Sequence, residues 1–152
     1  MARAERVGSS QQPVAYRGLR EWIEKVEQFG ELLRVNGAHW DKEMGAITHM
    51  LTERSKGSAP AILFDQVPGY PSGFRTLYGQ FSSIKRVALT LGLPLEYERK
   101  VDIVKAYHER MEKMTLIKPR YVKTGPILSH VLEGDDVDVL RFPVPLHHEL
   151  DK

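Results

Sequence analysis

The run Ala61-Ile62-Leu63-Phe64 does most to narrow what this chain can fold into. Continuous apolar residues of strand length match a strand buried on both faces, not one with a wet side. Such a strand needs a packed layer on each side of it, and the neighbouring segments supply helices. From Gly18 to Phe29 the apolar residues Leu19, Trp22, Ile23, Val26 and Phe29 recur at spacings of three and four, which is one helical stripe. Gly30 follows where a left-handed C-terminal cap belongs. Glu31–Val35 reads as a short strand stopped by the turn pair Asn36-Gly37. Asp41 is placed to cap a second helix reaching about Lys56, with Met44, Ile47, Thr48 and Leu51 on one face, and Gly57-Ser58-Ala59-Pro60 breaks it. After the Pro68–Gly73 loop, Phe74–Leu77 can form a neighbouring strand. Ser82 or Ser83 caps a third helix with Ile84, Val87, Ala88 and Leu91, closed by Gly92 and Pro94. A more charged helix from about Glu98 to Met114 carries Ile103, Val104, Tyr107 and Met111 as its apolar stripe. The fold class is therefore α/β, with mixed layers.

Near Leu116 the helical pattern gives way to Pro119, Gly125-Pro126, Gly134-Asp135-Asp136 and Pro143-Val144-Pro145. Short extended pieces joined by turns are expected there. The domain division is a flexible arm over 1–15, an α/β domain over 16–115, and the start of a second domain over 116–152. Phe142, Val144 and Leu146 would form an unpaired apolar edge, which proteins normally cover. A chain that stops there is accordingly expected to be interrupted.

Composition excludes several classes. There is no cysteine among the 152 residues, so disulfides, thiolate-bound metals and a catalytic thiol are all excluded. A net charge of +2 is too small to argue for nucleic acid without a basic face. No segment approaches the run of about 20 apolar residues that crosses a bilayer. A soluble, cytoplasmic protein is expected, with neither a membrane nor a nucleic-acid partner.

Candidate chemistry is sparse. The histidines are His39, His49, His108, His130, His147 and His148. His147-His148 with Glu149 and Asp151 suggests a metal site, but adjacent side chains on an extended strand point to opposite faces and cannot share an ion. His49 lacks a partner four residues on. Glu133, Asp135, Asp136 and Asp138 lack calcium-loop spacing and read as a solvated turn. Gly69, Gly73, Gly92 and Gly125 follow no strand–loop–helix phosphate pattern. Lys85-Arg86 and Arg99-Lys100 read as solvated helix surface, and Ser82-Ser83 as a cap with no His or Asp to make a nucleophile. No catalytic, cofactor-binding or metal residue is assigned.

Leu19–Trp22 with Phe29–Val35, then Ala61–Pro71, then Arg86–Leu89 with Leu91-Gly92, and finally Gly134–Pro145 form four segments in order. Together they resemble the UbiD-like decarboxylases. The resemblance covers nearly everything from Leu19 to Asp151. It implies an N-terminal α/β domain followed by a split β-barrel that binds prenylated FMN. It further implies decarboxylation of an aromatic or α,β-unsaturated acid through a flavin adduct that acts as electron sink. A Glu–Arg–Glu set would position the carboxylate and move the proton, and a divalent metal, typically manganese, would anchor the flavin phosphate through Asn, His and Glu. All of those residues lie beyond the Pro-Val-Pro segment, so none is carried over. His147-His148 departs from the family's Trp-His, and Ile127-Leu128-Ser129-His130 is an unusual approach to the Gly-Asp-Asp turn.

The leading expectation is the N-terminal portion of a carboxy-lyase, inactive by itself and unable to bind flavin or metal alone. Its partners would be a small unsaturated or aromatic acid, the remaining flavin-binding and C-terminal domains, and further copies in a homo-oligomer. The alternative is a non-catalytic subunit whose Phe142–Leu146 strand pairs with a separate catalytic chain.

Overall fold

A computed structural model describes residues 14–147 and Leu150. The 1–15 arm, apart from its last two residues, lies outside them, as do His148, Glu149 and Asp151. The elements run α1 (Leu19–Gln28), β1 (Leu32–Asn36), α2 (Glu43–Arg54), β2 (Ala61–Asp65), β3 (Thr76–Tyr78), α3 (Ile84–Leu91) and α4 (Lys100–Glu112). The sheet order is β1-β2-β3. β1 and β2 are parallel with Leu32 opposite Ala61, and β2 and β3 are antiparallel with Ile62 opposite Tyr78.

The apolar run of β2 is buried on both faces, because successive side chains alternate across the sheet. Ala61 and Leu63 enter one core with Trp22, Ile23 and Val26 of α1 and Leu89 of α3. Ile62 and Phe64 enter the other, with Met44 of α2, Ala38 and Val67. The expected mixed α/β layering is what forms. Gly30 takes the left-handed conformation (φ 72°) that closes α1, and Gly92 (φ 65°) closes α3. Arg110 of α4 donates from Nη1 to the carbonyls of Leu91 and Gly92 at 2.6 and 2.9 Å, satisfying two groups that the end of α3 leaves open.

Several expectations need correction. Arg86 is not solvated surface: it is 0% exposed and heads the fully buried side chains by size. Its Nη1 donates to Glu31 Oε2 at 2.8 Å, and Nη2 donates to the Ala59 carbonyl. Ser83 caps α3 by accepting from the Arg86 amide at 3.1 Å, while its hydroxyl donates to Glu31 Oε2 at 2.6 Å. Burial pushes the Arg86 guanidinium below its usual range, with Glu31 pulling the other way. At Nη1 and Nη2 carboxylate and carbonyl replace the lost water, while the buried Nε has no hydrogen-bond partner among the described residues.

Asp41 does not cap α2. Lys42 holds that place with φ 74°, and Asp41 is drawn into a parallel bridge with Leu146. On α4 only Ile103 of the expected stripe is buried; Val104 is 65% exposed, and Tyr107 and Met111 are exposed as well. Helix periodicity identifies a stripe, but among the described residues α4 packs on α3 and buries one residue of it. The extended pieces expected after Leu116 are instead three single 3-10 turns at Pro126–Leu128, Gly134–Asp136 and Val139–Arg141. Nor is the Phe142–Leu146 edge unpaired, since Leu146 bridges to Asp41.

Removing one partner of a buried, hydrogen-bonded charge costs about 3–5 kcal/mol, whereas loss of a helix cap costs about 1 kcal/mol. Urea unfolding of Arg86→Ala should therefore lose several times the stability lost by Ser83→Ala. Equal midpoints for the two variants would contradict the buried-charge account.

Candidate functional site

Residues 113–139 lie on the surface of the described structure almost without interruption, with Leu116 94% and Tyr121 96% exposed. The chain then turns back, and residues 140–147 dock on the face made by β3 and the start of α2. Sidedness explains the place: Ile62 and Phe64 point to that face, and Tyr78 of the edge strand stands edge-on to Phe64 with centroids 6.0 Å apart. The Tyr70 hydroxyl donates to the Leu140 carbonyl at 3.3 Å, and the Thr76 hydroxyl to the Pro143 carbonyl at 3.1 Å. Phe142 packs on Phe74 at 5.9 Å. The Leu146 amide donates to the Trp40 carbonyl at 3.0 Å, completing the bridge beside Asp41.

The tightest approach is at Gly45. A Cβ there would lie 2.9 Å from the Leu146 carbonyl oxygen and 3.1 Å from His147 Cα, closer than such atoms pack. The glycine is therefore set by the passing chain and not by the helix, where it costs up to about 1 kcal/mol relative to alanine. His147 Nε2 lies 3.0 Å from the Tyr78 hydroxyl, and the two rings meet edge-on at 5.4 Å. Burial raises the Tyr78 phenol above its ordinary value, so it is a neutral hydrogen-bonding group at physiological pH.

Among the described residues no group of three or more His, Asp or Glu is arranged to hold a metal. Gly69, Gly73 and Gly125 face open space, with no neighbour within 4 Å of a Cβ, so no backbone cradle closes around a phosphate there. His108 lies 3.4 Å from Glu112 on the surface of α4, and the exposed Asp138 caps the Val139–Arg141 turn by accepting from the Leu140 amide at 2.9 Å. Clefts open at several places on the described structure. One of about 600 Å³ has Arg17, Arg20 and Arg75 around Ile23, Leu63 and Leu77. A second of about 530 Å³ runs along α2 past His49 to His147, and a third of about 860 Å³ lies between Phe81, Leu95 and Ile103. In the third, Ser83 donates to Glu31, but the same hydroxyl caps α3 and the carboxylate is held by Arg86, so the pair is committed to the fold. The described residues do not fit a flavin or its metal.

Residues 23–111, which take in α1 from its second turn, the whole sheet, α2, α3 and nearly all of α4, match the N-terminal domain of 3-octaprenyl-4-hydroxybenzoate carboxy-lyase. The chain belongs to the UbiD family. This UbiD-family chain is 37% identical over 142 residues to pyrrole-2-carboxylic acid decarboxylase of Pseudomonas aeruginosa, covering 87% of the chain but 27% of that relative. In fold it is similar to vanillic acid decarboxylase of Sedimentibacter hydroxybenzoicus. The open form superposes with a TM-score of 0.66 at 24% identity, over 88% of this chain and 29% of that one. A closed form gives 0.56 at 25% identity, over 64% and 20% respectively.

The docking seam was missed from sequence because its partners lie about seventy to a hundred residues apart. The one local signal was Gly45 itself, a glycine inside a helical pattern, which usually has a packing reason. Exposure of 113–139 makes limited proteolysis informative. Trypsin should cut first after Arg120 and Lys123, well before Arg86, as read by mass spectrometry of early fragments. Early cleavage at Arg86 would contradict the described core.

Proposed function

We propose that this chain is the N-terminal portion of a non-oxidative carboxy-lyase that removes CO2 from a small aromatic, heteroaromatic or α,β-unsaturated acid. The observation that carries the proposal is the identity with pyrrole-2-carboxylic acid decarboxylase across 87% of the chain. Residues 16–115 form the α/β domain on this reading, and 116–152 begin the split-barrel domain that holds flavin. Prenylated FMN and a divalent metal, taken to be manganese, are assigned to residues other than those described here, since the described ones offer neither ligands nor a cradle. When bound, that cofactor supplies an electron sink for loss of CO2. The contribution of this chain is structural: a two-faced α/β body, and a seam from which the rest of the protein departs. A cytoplasmic homo-oligomer completes the reading. Among the described residues no helix is long and apolar enough to cross a membrane.

The test compares the 152-residue chain with the protein encoded when the gene is read beyond Lys152. The longer protein should purify with flavin absorbance and release CO2 from at least one of pyrrole-2-carboxylate, vanillate or cinnamate. The 152-residue chain should do neither. Stoichiometric flavin on the short chain would sink the placement of the cofactor. A flavin-loaded long protein inert toward the whole panel would sink the activity.

A further inference from the structure

We infer that Gly45 and Tyr78 are positioning residues for that decarboxylation, holding residues 146–147 in one register on the α2–β3 face. The inference rests on the decarboxylase reading above and adds to it a role for named residues of this chain. Residues 113–139 contribute almost no buried contact, so they cannot transmit the orientation of the α/β body to whatever follows. The 140–147 segment can. It is held from Tyr70, Thr76, Tyr78 and the Trp40 carbonyl, which belong to a loop, an edge strand and the entry to a helix.

Two of these contacts fix register as well as proximity. At Gly45 the Leu146 carbonyl and His147 Cα occupy the space a methyl group would need, so any side chain moves that backbone outward. At Tyr78 the hydroxyl meets His147 Nε2 at 3.0 Å while the ring is braced on Phe64, which is fully buried in β2. The latch is thus referenced to the rigid core, and groups held on strands and helices are placed more accurately than groups held on loops. Misplacement by 1 Å can cost about a hundredfold in rate even when the change is remote from the chemistry.

Gly45→Ala separates positioning from stability, because alanine favours the helix while displacing the seam. In the whole, flavin-loaded protein, assayed on whichever acid the wild type turns over, kcat should fall about tenfold or more, with KM within about twofold. Thermal stability should hold, and hydrogen exchange over residues 140–147 should quicken. Tyr78→Phe keeps the ring and removes the hydroxyl; it should show the same pattern more weakly, and it serves if Gly45→Ala fails to fold. Faster exchange with unchanged kcat overturns the positioning role, and unchanged exchange in both variants overturns the latch. Both leave the decarboxylase reading intact, since wild-type turnover in the same assay supports it. A wild type without turnover removes that reading, and this inference with it.

Discussion

A guanidinium taken out of water must recover its hydration from the protein, and Arg86 does so at Nη1 and Nη2 with groups from two stretches of chain outside its own helix. Glu31, just before β1, takes Nη1 and the Ala59 carbonyl, on the approach to β2, takes Nη2, while Ser83 of the same helix holds the Arg86 backbone amide and donates to the same Glu31 carboxylate. The Glu31 carbonyl accepts from the Ala61 amide at 2.8 Å, so the parallel pairing of β1 with β2 begins at the same point. Apolar packing alone would hold α3 against the sheet but would tolerate sliding. A buried charge with directional partners does not, because each displacement leaves a desolvated group unpaired. The positions of α3, β1 and β2 are tied together there.

From that fixed frame the two faces of β2 divide the labour. One face is closed by α1 and α3, with the Trp22 indole donating to the Thr90 hydroxyl at 2.9 Å. The other face is closed by α2 with Ala38 and Val67, and the returning 140–147 segment meets it at Tyr78, which stands against Phe64 on the open edge of the sheet. Because β3 has only three residues, its side chains at the edge are available to a visiting strand of chain. Thr76 and Tyr78 take that role. The α/β body and the 140–147 segment are therefore parts of one packing arrangement.

How much of this was legible depends on the range of the interaction concerned. The helices, β2 and the caps at Ser83, Gly30 and Gly92 are local in origin and could be read from spacing and turn chemistry. Arg86 was misread because its neighbour Lys85 and its helical position both indicate solvent, while its partner Glu31 lies 55 residues earlier. The α4 stripe was misread for the opposite reason: the pattern is real, but most of it has no cover within the described residues. The family resemblance was legible in four ordered segments, of which Phe29–Val35, Ala61–Pro71 and Arg86–Gly92 fall inside the match over residues 23–111. The seam was not legible, apart from the unexplained glycine at position 45.

By itself the sequence determined the layered α/β character of this UbiD-family chain, the two-faced burial of β2, and the absence of thiol chemistry. Periodicity, turn residues and composition act over a few residues and survive without knowledge of the fold. The Phe142–Leu146 segment, which sequence alone left as an apolar edge with nothing beside it, was settled only in three dimensions. Tertiary structure brings Trp40, Gly45, Thr76 and Tyr78 to it, contacts that span about seventy to a hundred residues and so leave no local pattern. The same holds for Arg86: whether a charged side chain on an amphipathic helix meets water or a carboxylate depends on what the rest of the chain places beside it.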